Sequence, residues 1–351
     1  MQIMKRLGIV LVLIAAMAFT ACSSKDEKPT ETKKAQDVGK KSEFTVGIIV
    51  GEKEKESSAF VKSALNGLES FEKKTACAVM VETVNNEAEI ESKVEKLSKD
   101  CNLIWTVGTV YGAVLVDIAK KYPDINFAVV DGQYENTPDN VTGVGFRSNE
   151  AAFLAGYIAA YKSQSSKVGF IGGMDNDVIN GFRAGYEAGA KYYDDKIEIV
   201  AEYVGDFLDK EKAKTIAKNM YASGCDVIFP AAGVGSIAVI EEAVAQGKYV
   251  IGVDADQSKL GEDAVVTSVL KMVDSAVEYA CLRAKEGIDI GGQNLNYGLA
   301  DGAVGITEYD EKFIPLSEQN KLDNIKEMIV SDRMVVPNTI EELSVYKPVR
   351  E

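Results

Sequence analysis

The sequence predicts an α/β protein of two doubly wound parallel-sheet lobes joined by a hinge. Short β-rich apolar runs alternate with amphipathic helical patterns along most of the chain, as parallel strands covered by crossover helices do. The part carrying this alternation, from Glu43 onward, is roughly 300 residues long, which favours two domains over one large core. A weak internal repeat is the third observation. Val46-Gly47-Ile48-Ile49-Val50-Gly51 leads into Phe60-Val61-Lys62-Ser63-Ala64-Leu65-Asn66-Gly67, and Val168-Gly169-Phe170-Ile171-Gly172-Gly173 leads into Phe182-Arg183-Ala184-Gly185-Tyr186-Glu187-Ala188-Gly189.

The chain begins with Lys5 and Arg6, an apolar run from Leu7 to Ala18, then Phe19-Thr20-Ala21-Cys22-Ser23-Ser24. That run is shorter than the ~20 residues a membrane-crossing helix needs, so residues 1–21 read as a cleaved signal peptide. The small residues before Cys22 match a bacterial lipobox, in which the new terminal cysteine is acylated and holds the protein at a membrane surface. Residues 22–43 are mostly Lys, Glu, Asp, Ser and Thr, too polar to offset their own ordering entropy, and read as a flexible tether.

Strands are expected at Phe44 to Val50, Ala78 to Val84, Leu103 to Val107, Asn126 to Asp131, Val168 to Ile171, Ile197 to Tyr203, Asp226 to Phe229, Tyr249 to Val253 and Ala264 to Val269. Amphipathic helices are expected at Ala59 to Lys73, Ile90 to Ser98, Ala151 to Tyr161, Ile179 to Tyr192 and Lys210 to Ala222. The first lobe is expected to comprise residues 44–150, completed by about 272–310. The second is expected to comprise 151–271, completed by about 311–351.

The net charge of −15 makes nucleic acid or an anionic lipid surface a poor partner. Beyond Cys22, the isolated Cys77, Cys101, Cys225 and Cys281 suit buried small hydrophobes rather than a disulfide framework or metal cluster. Cys77 with Cys101 is the one pair worth testing for a bridge.

Ligands of open parallel sheets sit beyond the carboxyl ends of the strands. Those ends supply Gly51 to Phe60 with Ser57 and Ser58, Gly108 with Tyr111, Asp131, Gly172 to Asp175 with Met174, Asp206 with Phe207, Gly233 to Ser236, Asp254 and Lys271. The chain contains no His, so a serine triad lacks its base and a zinc site its nitrogen ligands. No Gly-x-Ser-x-Gly stretch or phosphate loop ending in Gly-Lys-Ser/Thr is present. The site therefore reads as one that binds without chemistry, with no cofactor and no metal. Gly233-Val234-Gly235-Ser236-Ile237-Ala238 fits a dinucleotide fingerprint, with Asp254 at about the usual 20-residue offset. Pro230-Ala231-Ala232 separates it from the preceding strand, and it opens no domain, so it reads as a helix start offering free N–H groups to a polar ligand.

The individual residues have two readings each. Asp131-Gly132 is a common turn pair, or Asp131 is a ligand acceptor. Phe60 and Phe207 are core aromatics or stacking platforms. Lys271 is a solvated helix start or, since a lysine there opposes the helix dipole, a residue placed to meet the ligand.

Longer stretches carry a resemblance. The run Tyr122-Pro123-Asp124-Ile125-Asn126-Phe127-Ala128-Val129-Val130-Asp131, Asn140-Val141, Ile251-Gly252-Val253-Asp254-Ala255-Asp256-Gln257 and Thr267-Ser268-Val269-Leu270-Lys271 resemble the basic membrane protein family of lipoprotein purine-nucleoside receptors. The resemblance implies a type I periplasmic-binding-protein-like fold delivering nucleosides to a membrane-embedded ABC permease and its ATPase. It implies base stacking between Phe60 and Phe207, a base-edge contact from Asp131, sugar contacts from Asp254 and Lys271, and backbone contacts at Gly233 and Val234. The family's first loop usually reads Asp-x-Ser-Phe-Asn, whereas Ser57-Ser58-Ala59-Phe60-Val61 stands here, so two polar base contacts are missing; Glu52 and Glu56 are candidates to replace them. A monomeric nucleoside receptor is the leading expectation. The same fold binding a sugar or sugar-like signal, a surface adhesin or sensor, and a nucleoside hydrolase are the alternatives.

Overall fold

A computed structural model of the chain describes residues 44–347. The expected leader, Cys22 and the tether to residue 43 lie outside the described residues.

Along the chain, β1 (Thr45–Gly51) is followed by α1 (Glu52–Ser57), α2 (Ala59–Thr75), β2 (Ala78–Val84), α3 (Ile90–Leu97), β3 (Leu103–Val107), α4 (Thr109–Ala119), β4 (Asn126–Val130) and β5 (Val141–Phe146). Then come α5 (Ser148–Lys162), β6 (Lys167–Gly172), α6 (Asp177–Tyr193), β7 (Glu198–Tyr203), α7 (Lys210–Ala222), β8 (Val227–Ala231), α8 (Gly235–Gln246), β9 (Tyr249–Asp254) and β10 (Val265–Lys271). The chain finishes with α9 (Val273–Lys285), β11 (Gln293–Tyr297), β12 (Val304–Ile306), α10 (Leu316–Val330) and α11 (Ile340–Val345).

Two sheets result, ordered β11-β5-β4-β3-β1-β2 and β12-β10-β9-β8-β6-β7. All pairings in the first are parallel, and only β10 with β12 is antiparallel in the second. Central strands such as Leu-Ile-Trp-Thr-Val of β3 are buried throughout, because helices cover both faces of a parallel sheet. In each lobe the strand order reverses beside the first strand, β1 or β6, which places a ligand crevice at the carboxyl ends there.

Every expected strand and helix is present with boundaries shifted by a few residues. Three strands are additional. Val-Thr-Gly-Val-Gly-Phe of β5 carries two glycines, Gln-Asn-Leu-Asn-Tyr of β11 is polar because it forms an edge, and β12 is three residues long. Since β12 hydrogen-bonds β10, the return to the second lobe comes before Val304 rather than near residue 310. The chain thus passes between lobes three times, at Arg147, at Met272 and at 298–303. These crossings are tied together, for Arg147 N–H donates to Tyr297 O at 2.7 Å and Met272 N–H to Ala303 O at 2.8 Å.

Each sheet carries apolar clusters on both faces. Cys77 packs with Trp105 and Cys281 on one face of the first sheet, while Cys101 packs with Ile104 and Phe127 on the other. Alternation of side chains along a strand keeps those two faces apart, and Cys77 and Cys101 are not joined by a disulfide. Burial pushes Cys101 up to about 11 and Cys281 up to about 12, so both stay protonated and unreactive near neutrality.

Helix α5 is buried on nearly every side and crosses α6 with backbone touching backbone. A Cβ at Gly189 would stand 1.9 Å from Phe153 O, and one at Gly156 2.0 Å from Tyr186 O. Replacing Gly189 by Ala forces the helices apart, at an overpacking cost of about 1–3 kcal/mol. Thermal unfolding of Gly189→Ala should show a Tm lower by about 2–10 °C; an unchanged Tm would mean that the two helices do not meet there.

Candidate functional site

The strand ends of the two lobes converge on one cleft of about 770 Å³, part of it open to solvent. The first lobe contributes Glu54, Ser58, Phe60 and Val61 after β1, Val107 to Tyr111 after β3, and Asp131 after β4. The second contributes Asn176, Val178, Ile179 and Phe182 after β6, Phe207 after β7, Ala231, Gly233 and Val234 after β8, Val253 and Asp254 from β9, and Lys271 from β10. A cleft lined from both lobes with a few polar groups on an apolar wall is the kind of place where a small organic ligand binds.

At the centre lies Lys271, 3% exposed. It ends β10 and does not start a helix, so the reading of it as a solvated helix start is excluded and it stands in the cleft as buried charge. Its Nζ stands 2.6 Å from both Asp131 carboxylate oxygens, an ion pair that joins the two lobes. The same ammonium lies over the rings of Phe60, Phe146 and Phe182 at 4.7, 5.0 and 5.6 Å from their centroids. Carboxylate and ring faces together replace the water this cation has lost.

Asp131 and Asp254 terminate their strands with φ of 63° and 67°. Aspartate tolerates this left-handed region better than most residues, and the conformation turns the chain sharply off the strand. Asp131 is therefore a turn residue and a charged cleft residue together. Asp254 has no cation of its own, because Lys271 is committed to Asp131. Burial, opposed by Lys271 and reinforced by Asp131, pushes its carboxyl up to about 6.

Phe207 leans on the backbone of Gly173, where a Cβ would lie 2.3 Å from the ring. The Phe207 carbonyl accepts from Val234 N–H at 2.9 Å, locking the loop after β7 to the start of α8. That bond and the tight turn consume the N–H groups of Val234, Gly235, Ser236 and Ile237. The expected crown of free donors reduces to Gly233, whose N–H has no acceptor among the described residues.

Three expectations change. Ser57 donates to Lys53 O at 2.6 Å and lines an adjoining groove rather than the cleft, and Ser58 caps α2 through Val61 N–H at 3.3 Å. Met174 lines neither space, whereas Asn176 does and its Nδ2 reaches Thr109 Oγ1 across the cleft at 3.5 Å. Glu52 and Glu56 are exposed, and Glu54 between them is the acid that enters the cleft. Tyr111 donates to Glu54 at 3.3 Å, and burial holds the Glu54 carboxyl above its ordinary value despite that bond. Glu54 was hidden in the charged run Glu52-Lys53-Glu54-Lys55-Glu56, which reads as solvated surface, and Phe182 was hidden by apolar helix periodicity.

Two parallel-sheet lobes joined by three crossings around a strand-end cleft are the architecture of a periplasmic-binding-protein-like ligand receptor. The family model described as Bmp, "ABC transporter substrate-binding protein PnrA-like", matches residues 46–339, and the chain belongs to that family. Among curated relatives, "Basic membrane protein A1" of Borrelia garinii subsp. bavariensis is 36% identical over 338 residues, 94% of this chain and 95% of that one. "Basic membrane protein A" of Borreliella burgdorferi is 35% identical over 342 residues, 95% of this chain and 96% of that one. The ABC transporter system solute-binding protein from Aeropyrum pernix K1 superposes with a TM-score of 0.74 at 26% identity, covering 86% of this chain and 95% of that one. A transcriptional activator of the comK gene from Bacillus halodurans gives 0.71 at 26% identity, with 84% and 99% covered. Substrate-binding proteins of this family work outside the cytoplasm and imply a small-molecule ligand and an ABC permease partner. Among the described residues no helix is long and apolar enough to cross a membrane.

Because the folded pKa of Asp254 lies above the unfolded value, the native state binds the extra proton and loses stability as pH rises from about 4 through about 6. Asp254→Asn should raise Tm by about 2–4 °C at pH 7.5 and leave it nearly unchanged at about pH 3.5; equal shifts at both pH values would contradict a perturbed carboxyl. Lys271→Met strands Asp131 as an unpaired buried charge and should cost about 3–5 kcal/mol in denaturant unfolding, with partial recovery in Asp131→Asn/Lys271→Met.

Proposed function

We propose that this chain is a lipid-anchored substrate-binding protein that captures a neutral purine nucleoside and presents it to an ABC importer without altering it. The observation that carries the reading is the composition of the cleft: two aromatic faces, Phe60 and Phe207, on a largely apolar lining, with carboxylates at defined points of its wall. A flat heteroaromatic base suits the apolar middle, where the many hydroxyls of a hexose would go unpaired. Asp254 faces the sugar in this reading, since an ionised carboxylate accepts from two neighbouring hydroxyls. Asp131 and Glu54 face the base edge, with Lys271 preserving the charge balance around Asp131.

The ligand touches both lobes and so favours the closed arrangement, which is the form a permease would read. Acylation at Cys22, with residues 22–43 as tether, would keep the receptor beside that permease. The receptor is proposed to act as a monomer.

Calorimetric titration of the mature protein with adenosine, guanosine and inosine should give micromolar or tighter binding, on the order of −8 kcal/mol. Binding of a pentose or hexose with no heat from any nucleoside would overturn the proposal. Affinity should also depend on pH through Asp254. It should be about tenfold weaker at pH 5 than at pH 7.5, level off above neutrality, and lose this dependence in Asp254→Asn.

A further inference from the structure

A second groove, of about 700 Å³ including its open side, adjoins the cleft. Its walls come from both lobes, with Ser57 and Lys62 on one side and Asp256, Gln257 and Lys259 on the other. It shares Gly233, Val253 and Asp254 with the cleft, so the two spaces are continuous at the end assigned above to the sugar.

The groove is rich in unused donors. Lys62 and Lys259 are exposed, and among the described residues neither side-chain ammonium has an ion-pair or hydrogen-bond partner. Gln257 accepts Val253 N–H through Oε1 at 2.9 Å, which leaves its Nε2 amide without a protein acceptor. The Gly233 N–H is likewise free. Of the acids, Asp256 is partly engaged by Ser258 N–H at 2.9 Å, and Asp254 belongs to the cleft. In a chain of net charge −15, two unpartnered ammonium groups on opposite lobes bordering one groove stand out. An anion in the groove would be attracted by both.

We propose that this groove holds a phosphoryl group carried by the ligand, so that the cleft takes a nucleoside 5′-monophosphate as well as, or in preference to, the free nucleoside. The proposal rests on the nucleoside reading of the cleft. The sugar lies at Asp254, its 5′ substituent passes Gly233, and the phosphate meets Lys62 and Lys259, with Gln257 and the Gly233 N–H as neutral donors. Charge-assisted bonds of this kind are stronger than neutral ones and respond to salt.

The test titrates the mature protein with adenosine, guanosine and inosine and with their 5′-monophosphates, at low and high ionic strength. Ribose 5-phosphate and inorganic phosphate serve as separate probes. The monophosphate should bind about tenfold more tightly than its nucleoside at low salt, with the gain shrinking as salt screens it. Lys62→Ala/Lys259→Ala should abolish that gain and leave nucleoside affinity within about twofold; both lysines are exposed, and an unchanged Tm shows that the variant is folded. Lysine-dependent binding of ribose 5-phosphate or of phosphate alone supports the groove and identifies the smaller carrier. Nucleoside binding with a monophosphate that is weaker, or indifferent to the two lysines, overturns the groove and leaves the proposed function standing. Absence of binding by every nucleoside and every phosphate overturns both.

Discussion

The arrangement of the cleft depends on the buried ion pair between Lys271 and Asp131. Each partner stands at the end of a strand in a different lobe, and either one without the other would be an uncompensated charge at that depth. Breaking the pair is costly, although forming it contributes little net stability once desolvation of both ions is counted. Its role is geometric. It fixes where the ends of β4 and β10 stand relative to each other, draws Phe60 and Phe182 around the ammonium, and leaves Asp254 as an acid without a cation.

Around that pair, the stretches that carry the family resemblance are bonded to one another. Gln257 accepts from Val253 N–H and donates its own N–H to Ser268 Oγ, tying the turn after β9 to the middle of β10. Asn140 gathers the carbonyls of Ala119, Tyr122 and Ile125 into one turn below β4. Much of what makes these stretches distinctive is therefore scaffold that aims Asp131, Asp254 and Lys271.

Most of the fold was legible because parallel strands buried on both faces appear as short apolar runs, and helices between them keep a clear period. The rule that ligands sit beyond carboxyl strand ends located Phe60, Asp131, Phe207, Asp254 and Lys271 at one cleft before any contact was known. What could not be read was pairing at a distance. Lys271 and Asp131 lie 140 residues apart, so their union has no local signal, and each was placed at the cleft without its partner. Glu54 looked like one charge among five, and only the turn from β1 into α1 and α2 shows that it is the inward one. Polar β11 was missed because an edge strand does not need the apolar alternation by which strands are recognised.

The three crossings also constrain the order in which the molecule can be made. The first sheet is finished by β11, which pairs with β5 after the whole second sheet but β12 has intervened, and the second sheet is finished later still by β12. Neither lobe can close while only the amino-terminal half of the chain exists, since each still lacks an edge strand. Contacts so far apart in sequence form slowly. A nascent chain of this topology therefore remains incompletely folded until nearly all of it is available.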